Sequence, residues 1–200
     1  MKRLFPLLLI TALFLTAGCK DPKRDYIEKV APVLNNLEQI GLEIEKTVEA
    51  IKSDGISIIE FEAKISDIEK RLNAEKENFN HNMAPVDLDL FHKNILEAIA
   101  GEQLAISSVR SYATRKNMYN LAEKQLLQLQ QEESELLQRQ SDEKAKTRLS
   151  KISQEKANLA KQKENLQTEM DSQMKFFSNS HDYSVKMLRA MKNGLKGRSK

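Results

Sequence analysis

The sequence has almost no cysteine, proline, glycine or aromatic residues. There is one cysteine, no tryptophan, six glycines and four prolines in 200 residues. A single cysteine excludes any intrachain disulfide, so the fold depends on packing. Between Glu102 and Asn193 there is neither glycine nor proline, and that composition is helical. Six scattered glycines form no phosphate-cradling loop and no dinucleotide fingerprint. No serine sits in a G-x-S-x-G elbow. Long apolar runs are also missing after residue 17. The one such run, "LFPLLLITALFLTA" at 4–17, is shorter than the roughly 20 apolar residues a membrane-crossing helix needs.

That run follows Lys2 and Arg3 and ends in small residues, which is the layout of a secretory signal. Thr16, Ala17 and Gly18 stand directly before Cys19, the chain's only cysteine. The segment resembles the lipobox of bacterial lipoproteins, although Thr16 stands where leucine is usual and Leu15 lies one place further back. The resemblance implies cleavage between Gly18 and Cys19, acylation of Cys19 and tethering to a membrane. Two or more acyl chains hold firmly, at about 0.8 kcal/mol per buried methylene. Residues 1–18 are then a signal peptide and 19–26, with "DPKRDY", a short polar tether. The implied location is the bacterial envelope: the outer face of a Gram-positive cell membrane, or the periplasmic side of a Gram-negative outer membrane. Lys20, in place of the aspartate that retains such proteins at the inner membrane, leans towards the latter.

Charge is unevenly spread. The segment 183–200 has six basic residues and no acidic one, whereas 21–182 holds 23 basic against 29 acidic. An exported chain makes nucleic acid an unsuitable partner for the basic end. An anionic lipid face or acidic envelope polymer fits better.

From residue 27 the pattern is helical. Ile27, Val30, Leu34, Leu37, Gly41, Ile44, Val48 and Ile51 recur at spacings of three and four. Pro32 should mark a first turn or a kink, and Gly41 a close approach by a neighbouring helix. "KSDGIS" should end this helix, with Gly55 left-handed. Ser57 and Glu60 form a capping box that opens the next. Its stripe is Ile58, Phe61, Ile65, Ile68, Leu72 and Phe79, so the two make an antiparallel hairpin. Pro85 opens a third helix with Leu88, Phe91, Ile95, Ile99, Ile106 and Val109 buried and a break near Lys116–Asn117. The stretch from Pro85 to Leu129, with its Phe91-His92 pair, is similar to a helix-turn-helix pattern of secreted bacterial helical proteins, which implies a bundle and no particular function.

After Met118 two stripes follow. One is Leu121, Ala122, Leu126, Leu129, Leu136 and Leu137, and the other Leu149, Ile152, Leu159, Leu166, Met170 and Phe177. They are about 120° out of phase on a straight helix. Either the chain turns back near Ser141-Asp142, or one long helix rotates its contact face. A long, partly exposed hairpin or arm is the preferred reading. Lys156 and Lys163 on the second stripe suit a tight dimer seam poorly. "SNSHDYS" at 178–184 should break the helix and leave 179–200 as a separate basic amphipathic tail. Its Lys186, Arg189, Lys192, Lys196, Arg198 and Lys200 are candidates for contact with an anionic surface. A frayed, solvated tail is the preferred reading of this segment.

The expected architecture is all-α: an antiparallel bundle of 3–5 helices over 27–178 with a long C-terminal arm. His81, Asp87, Asp89 and His92 have metal-ligand chemistry, but dipole stabilisation of a helix start and a core-edge histidine account for them more simply. Met170, Met174, Met187 and Met191 read as packing. No catalytic residue, cofactor or metal is assigned. The functional expectation is a non-enzymatic envelope protein that binds a protein partner through helices or acts as a spacer, with the apolar positions between Leu149 and Phe177 as its contact face. The alternative is a binder of anionic lipid or polymer through the basic tail.

Overall fold

A computed structural model describes residues 21–138 and 143–198, with only the helical backbone described for 196–198. The described residues form four α-helices and no strand: α1 (Pro22–Lys52), α2 (Ile58–Asn80), α3 (Asp89–Leu137) and α4 (Glu143–Arg198). One 3-10 turn, Val86–Leu88, leads into α3. The all-α bundle is as the periodicity predicts. Several boundaries are not.

The helix α1 starts at Pro22, inside the stretch read as a tether. Asp21 caps it by accepting from the Lys23 backbone N–H at 3.0 Å, and Pro22 takes the first helical position, where no N–H is needed. Tyr26, the last residue of the supposed tether, is a core residue. Pro32 lies inside the helix rather than at its start. The α1–α2 turn closes with a different left-handed residue from the one expected: Asp54, at φ 57°, and not Gly55. The capping box forms as read, Ser57 Oγ accepting from the Glu60 N–H at 3.2 Å and Glu60 Oε2 from the Ser57 N–H at 2.9 Å.

No break occurs near Lys116–Asn117, and α3 runs for 49 residues, about 74 Å. The helix-turn-helix resemblance over Pro85–Leu129 therefore does not hold. The reason is Lys116. It is buried, and its Nζ donates to the carbonyls of Ile51 at 2.6 Å and Lys52 at 2.8 Å and pairs with Asp54 at 2.8 Å. A cation placed on the last carbonyls of α1 meets the negative end of that helix dipole. It also ties the end of α1 to the middle of α3.

α4 is a separate helix antiparallel to α3, so the two leucine stripes lie on two helices and not on one; Ser141-Asp142, where the turn was expected, lie outside the described residues. α4 then runs 56 residues back along α3, about 84 Å. "SNSHDYS" does not break it. The α1–α2 hairpin packs against the half of the α3–α4 pair that holds residues 89–116 and roughly 169–198. The remainder, 117–137 with 143–168, projects as a two-helix arm about 30 Å beyond the level of Lys116. The core is continuous over all four helices, and every residue in it lies between Tyr26 and Leu195. Among the described residues no helix is long and apolar enough to cross a membrane.

Replacing Lys116 with methionine keeps the aliphatic packing and removes the charge. We expect a loss of about 1.5–3 kcal/mol, the range for hydrogen bonds to a charged group, in denaturant unfolding. A loss within about 0.5 kcal/mol of zero would mean the capping role is wrong.

Candidate functional site

The arm is held by a thin apolar seam and a set of ion pairs. Ile152 is fully buried, with Ala122, Ala145, Leu166 and Met170 nearly so, while Leu126, Leu129, Leu136, Leu149 and Leu159 are half-buried. The apolar positions between Leu149 and Phe177 are thus not an open face. α3 covers most of them, and Phe177 belongs to the bundle core. Lys156 and Lys163, awkward for a dimer seam, meet Glu133 at 2.7 Å and Glu123 at 2.9 Å on α3. Lys163 also lies over the Tyr119 ring, 4.5 Å from its centre. Arg148 forks onto both oxygens of Glu132 at 2.7 Å and reaches Glu155 at 2.9 Å. What the arm leaves exposed is on α3: Met118, Leu121, Leu127 and Leu137.

The bundle contains a buried polar cluster that the sequence reading did not assemble. His181 on α4 is buried between two carboxylates. Its Nδ1 lies 2.9 Å from Glu102 Oε2 on α3, and its Nε2 3.0 Å from Glu45 Oε1 on α1. Phe177, one turn earlier, stacks on its ring with centres 5.3 Å apart. Glu102 is 1% exposed, and its Oε1 accepts no hydrogen bond from the described residues. Next to Glu102, Gly101 meets Ser184: a Cβ at 101 would fall 2.2 Å from Ser184 Oγ, which itself donates to the Ser180 carbonyl at 2.9 Å. Gly101 is therefore the glycine that close helix approach requires. At Gly41, where that role was expected, a Cβ would find ordinary contacts at 3.6–3.8 Å.

The electrostatics follow from burial. Desolvation pushes the Glu102 carboxyl above its ordinary value, the hydrogen bond from His181 pulling the other way. Burial alone would lower His181, but its hydrogen bonds to Glu102 and Glu45 outweigh that and raise it. Through its two ring nitrogens His181 ties one carboxyl group on each of two neighbouring helices, while Glu102 Oε1 has no partner among the described residues.

The other histidines go elsewhere. His92 stacks on Phe79 with centres 4.2 Å apart, and Tyr26 Oη lies 2.9 Å from its Nδ1. Burial holds His92 below its ordinary value, against the pull of Asp89, and pushes Tyr26 up to about 12. The phenol and the imidazole both stay neutral and share this hydrogen bond. His81 lies 2.6 Å from the Glu77 carbonyl at the end of α2. Asp87 pairs with Lys23, and Asp89 with Lys93 at 2.8 Å. The structure does not gather these four residues into one site.

Cys19 and Gly18 lie outside the described residues. Of the basic candidates, Lys186 and Arg189 are exposed and Lys192 pairs with Glu38 on α1. Lys196 and Arg198 fall on the last turn of α4, and Lys200 is outside the described residues. The apolar side of this segment is not free for lipid, because Leu188 and Leu195 are in the bundle core and Met187 and Met191 pack against it. The expected amphipathic tail is the end of a bundle helix that keeps only its basic side in solvent. Comparison with protein-family models, with curated proteins and with solved structures finds no match for this chain.

Both upward shifts in the His181 cluster act in the same direction. The folded chain holds protons more tightly here than the unfolded chain, so stability falls as pH rises. Glu102's share of that loss starts at the ordinary value of 4.5. The His181 contribution is full below 6.5 and disappears as pH rises through its raised folded value. Thermal unfolding followed across this range should show the midpoint falling above pH 6.5, and His181→Gln should flatten that part of the profile. An equal slope in the variant would place the titrating group elsewhere.

Proposed function

We propose that this chain is a lipid-anchored protein of the bacterial envelope that acts without catalysis, as a spacer or by helix-mediated binding. The observation that carries this reading is polarity. Cys19 precedes Pro22 by three residues, a reach of no more than about 11 Å. The start of α1 lies at the end of the bundle that also holds the α2–α3 loop, as the Lys23–Asp87 pair shows, and α4, antiparallel to α3 with Lys163 on Glu123 and His181 on Glu102, runs towards the same end. The arm leaves the opposite end. A lipid on Cys19 would thus put the bundle on the membrane and direct the arm away from it, its tip about 70 Å out along α3. The arm's own stability is modest, since solvent-exposed ion pairs contribute little each, and a partner laid along Met118, Leu121 and Leu127 would add the burial it lacks.

A second reading concerns the basic end of α4. Lys186 and Arg189 are exposed and the bundle end they approach is the same one, which supports contact with anionic headgroups or an acidic polymer by charge alone.

Growth with an alkyne-bearing fatty acid, followed by fractionation, tests the anchor. The full-length protein should carry the label and sediment with membranes, and Cys19→Ser should lose both. A labelled Cys19→Ser protein, or an unlabelled wild type, would contradict it.

A further inference from the structure

The α2–α3 loop is mounted in a way that the core does not need. Met83, Val86 and Leu90 are 93%, 96% and 72% exposed. They are three of the most exposed large apolar side chains among the described residues, and they stand together within eight residues. Val86 and Leu90 are four apart across the 3-10 turn into α3, so they share a face. The turn fixes this. The Leu88 N–H donates to the Pro85 carbonyl at 2.8 Å, and Leu88 itself is 2% exposed. With Leu88 drawn into the core, Val86 and Leu90 on either side of it are forced outward.

The loop is also braced. Asp87 pairs with Lys23 on α1, and the Asn82 N–H donates to the Phe79 carbonyl at 3.0 Å. His81, Met83 and Pro85 line one side of an open hollow whose other side is Pro22, Tyr26 and Lys29. Met83 therefore stands beside the first turn of α1, and Val86 adjoins Asp87, whose partner Lys23 is on that turn. A single exposed apolar residue, such as Ile59 in the first turn of α2 at the far end, needs no explanation. A rigid group of three does.

We infer that Met83, Val86 and Leu90 form an insertion surface for the interfacial region of a lipid bilayer. The occupant is argued from where the rest of the chain goes. Cys19, the acylation site of the anchored reading, precedes Pro22 by only three residues, so the lipid would attach at this same end. Charge around the loop and the first turns of α1 and α3 is nearly balanced: Lys23, Arg24, Lys29 and Lys93 each pair with a carboxylate, Asp87, Glu28, Asp25 and Asp89 in turn, and the unbalanced basic charge of this end is on α4. Apolar burial, not attraction to anionic headgroups, is then the main driving force, which separates this surface from the basic side of α4. The inference deepens the anchored reading by giving the bundle a second, non-covalent hold and hence a fixed orientation.

The test omits the anchor, so that failure of the two readings can be told apart. A chain from Asp21 to Lys200 lacks Cys19 but contains the whole core. It is mixed with vesicles of phosphatidylcholine, with and without phosphatidylglycerol, and sedimented. The wild-type chain should bind both, with little dependence on salt. Met83→Ser/Val86→Ser/Leu90→Ser should weaken partitioning roughly tenfold or more with its thermal unfolding unchanged. An environment-sensitive dye at Met83→Cys should shift to the blue on vesicle addition, and one at Ile59→Cys should not. Equal binding of the triple variant, absence of wild-type binding to either vesicle, or a shift at 59 as large as that at 83 would overturn the inference. Capture by the anionic vesicles alone, lost in high salt, would likewise overturn it in favour of the basic end of α4.

Discussion

The structure depends on how α4 closes over α1 and α3 at His181. A 56-residue helix that follows a short turn has many nearly equivalent registers against its neighbour. The arm chooses weakly among them, because its seam is made of alanines and half-buried leucines with ion pairs at the rim. His181 and Ser184 remove that freedom. Only one register puts Ser184 on Gly101 and the imidazole on Glu102 and Glu45 together. A shift by one helical turn would put Phe177 or Ser184 in place of the imidazole and leave Glu102 without its cationic partner. Breaking such a pair by removing one partner costs about 3–5 kcal/mol, even where the intact pair adds little net stability. The cluster therefore acts as a register lock.

The lock shapes everything outside it. It makes residues 177–195 the fourth element of the bundle core, which uses up the apolar side of what would otherwise be a lipid-binding tail. It holds the base of the arm, so that the arm's direction is set by the bundle and not by its tip. Lys116 does the same from the α1 side by binding the last carbonyls of that helix. The buried lysine marks where bundle ends and arm begins, and the buried histidine fixes α4 about 21 Å further into the bundle. The proposed membrane end and the projecting end are opposite one another because both fastenings lie between them.

Much of this architecture was legible in the sequence. The α1–α2 hairpin followed from two uninterrupted stripes and the Ser57–Glu60 box. The turn after Leu137 followed from a phase conflict, which is geometry and needs no knowledge of partners. The failures have a common cause. Both helix breaks expected near Lys116 and at 178–184 were placed where polar residues interrupt an apolar stripe. Yet Ile99, Glu102, Ile106, Val109, Ala113 and Lys116 keep the three-and-four spacing, as do Phe177, His181, Ser184, Leu188, Met191 and Leu195. The period continues through the polar positions, and their partners, being distant in sequence, could not be seen. A charged residue in phase with a stripe was the available signal of a buried pair. Gly101 escaped notice for a similar reason, since only Ser184, on another helix, explains it. The lipid-binding face of the tail was misjudged because periodicity shows that a face is apolar and not what covers it.

Hydrogen exchange over residues 178–195 tests this account most directly. If α4 is locked into the bundle through His181, amides there should exchange as slowly as those of 95–109 in α3, and much more slowly than those of 145–160 in the arm. Rapid exchange from 178 onward, with 95–109 still protected, would mean that the helix ends near Ser178, and the register lock would then be abandoned.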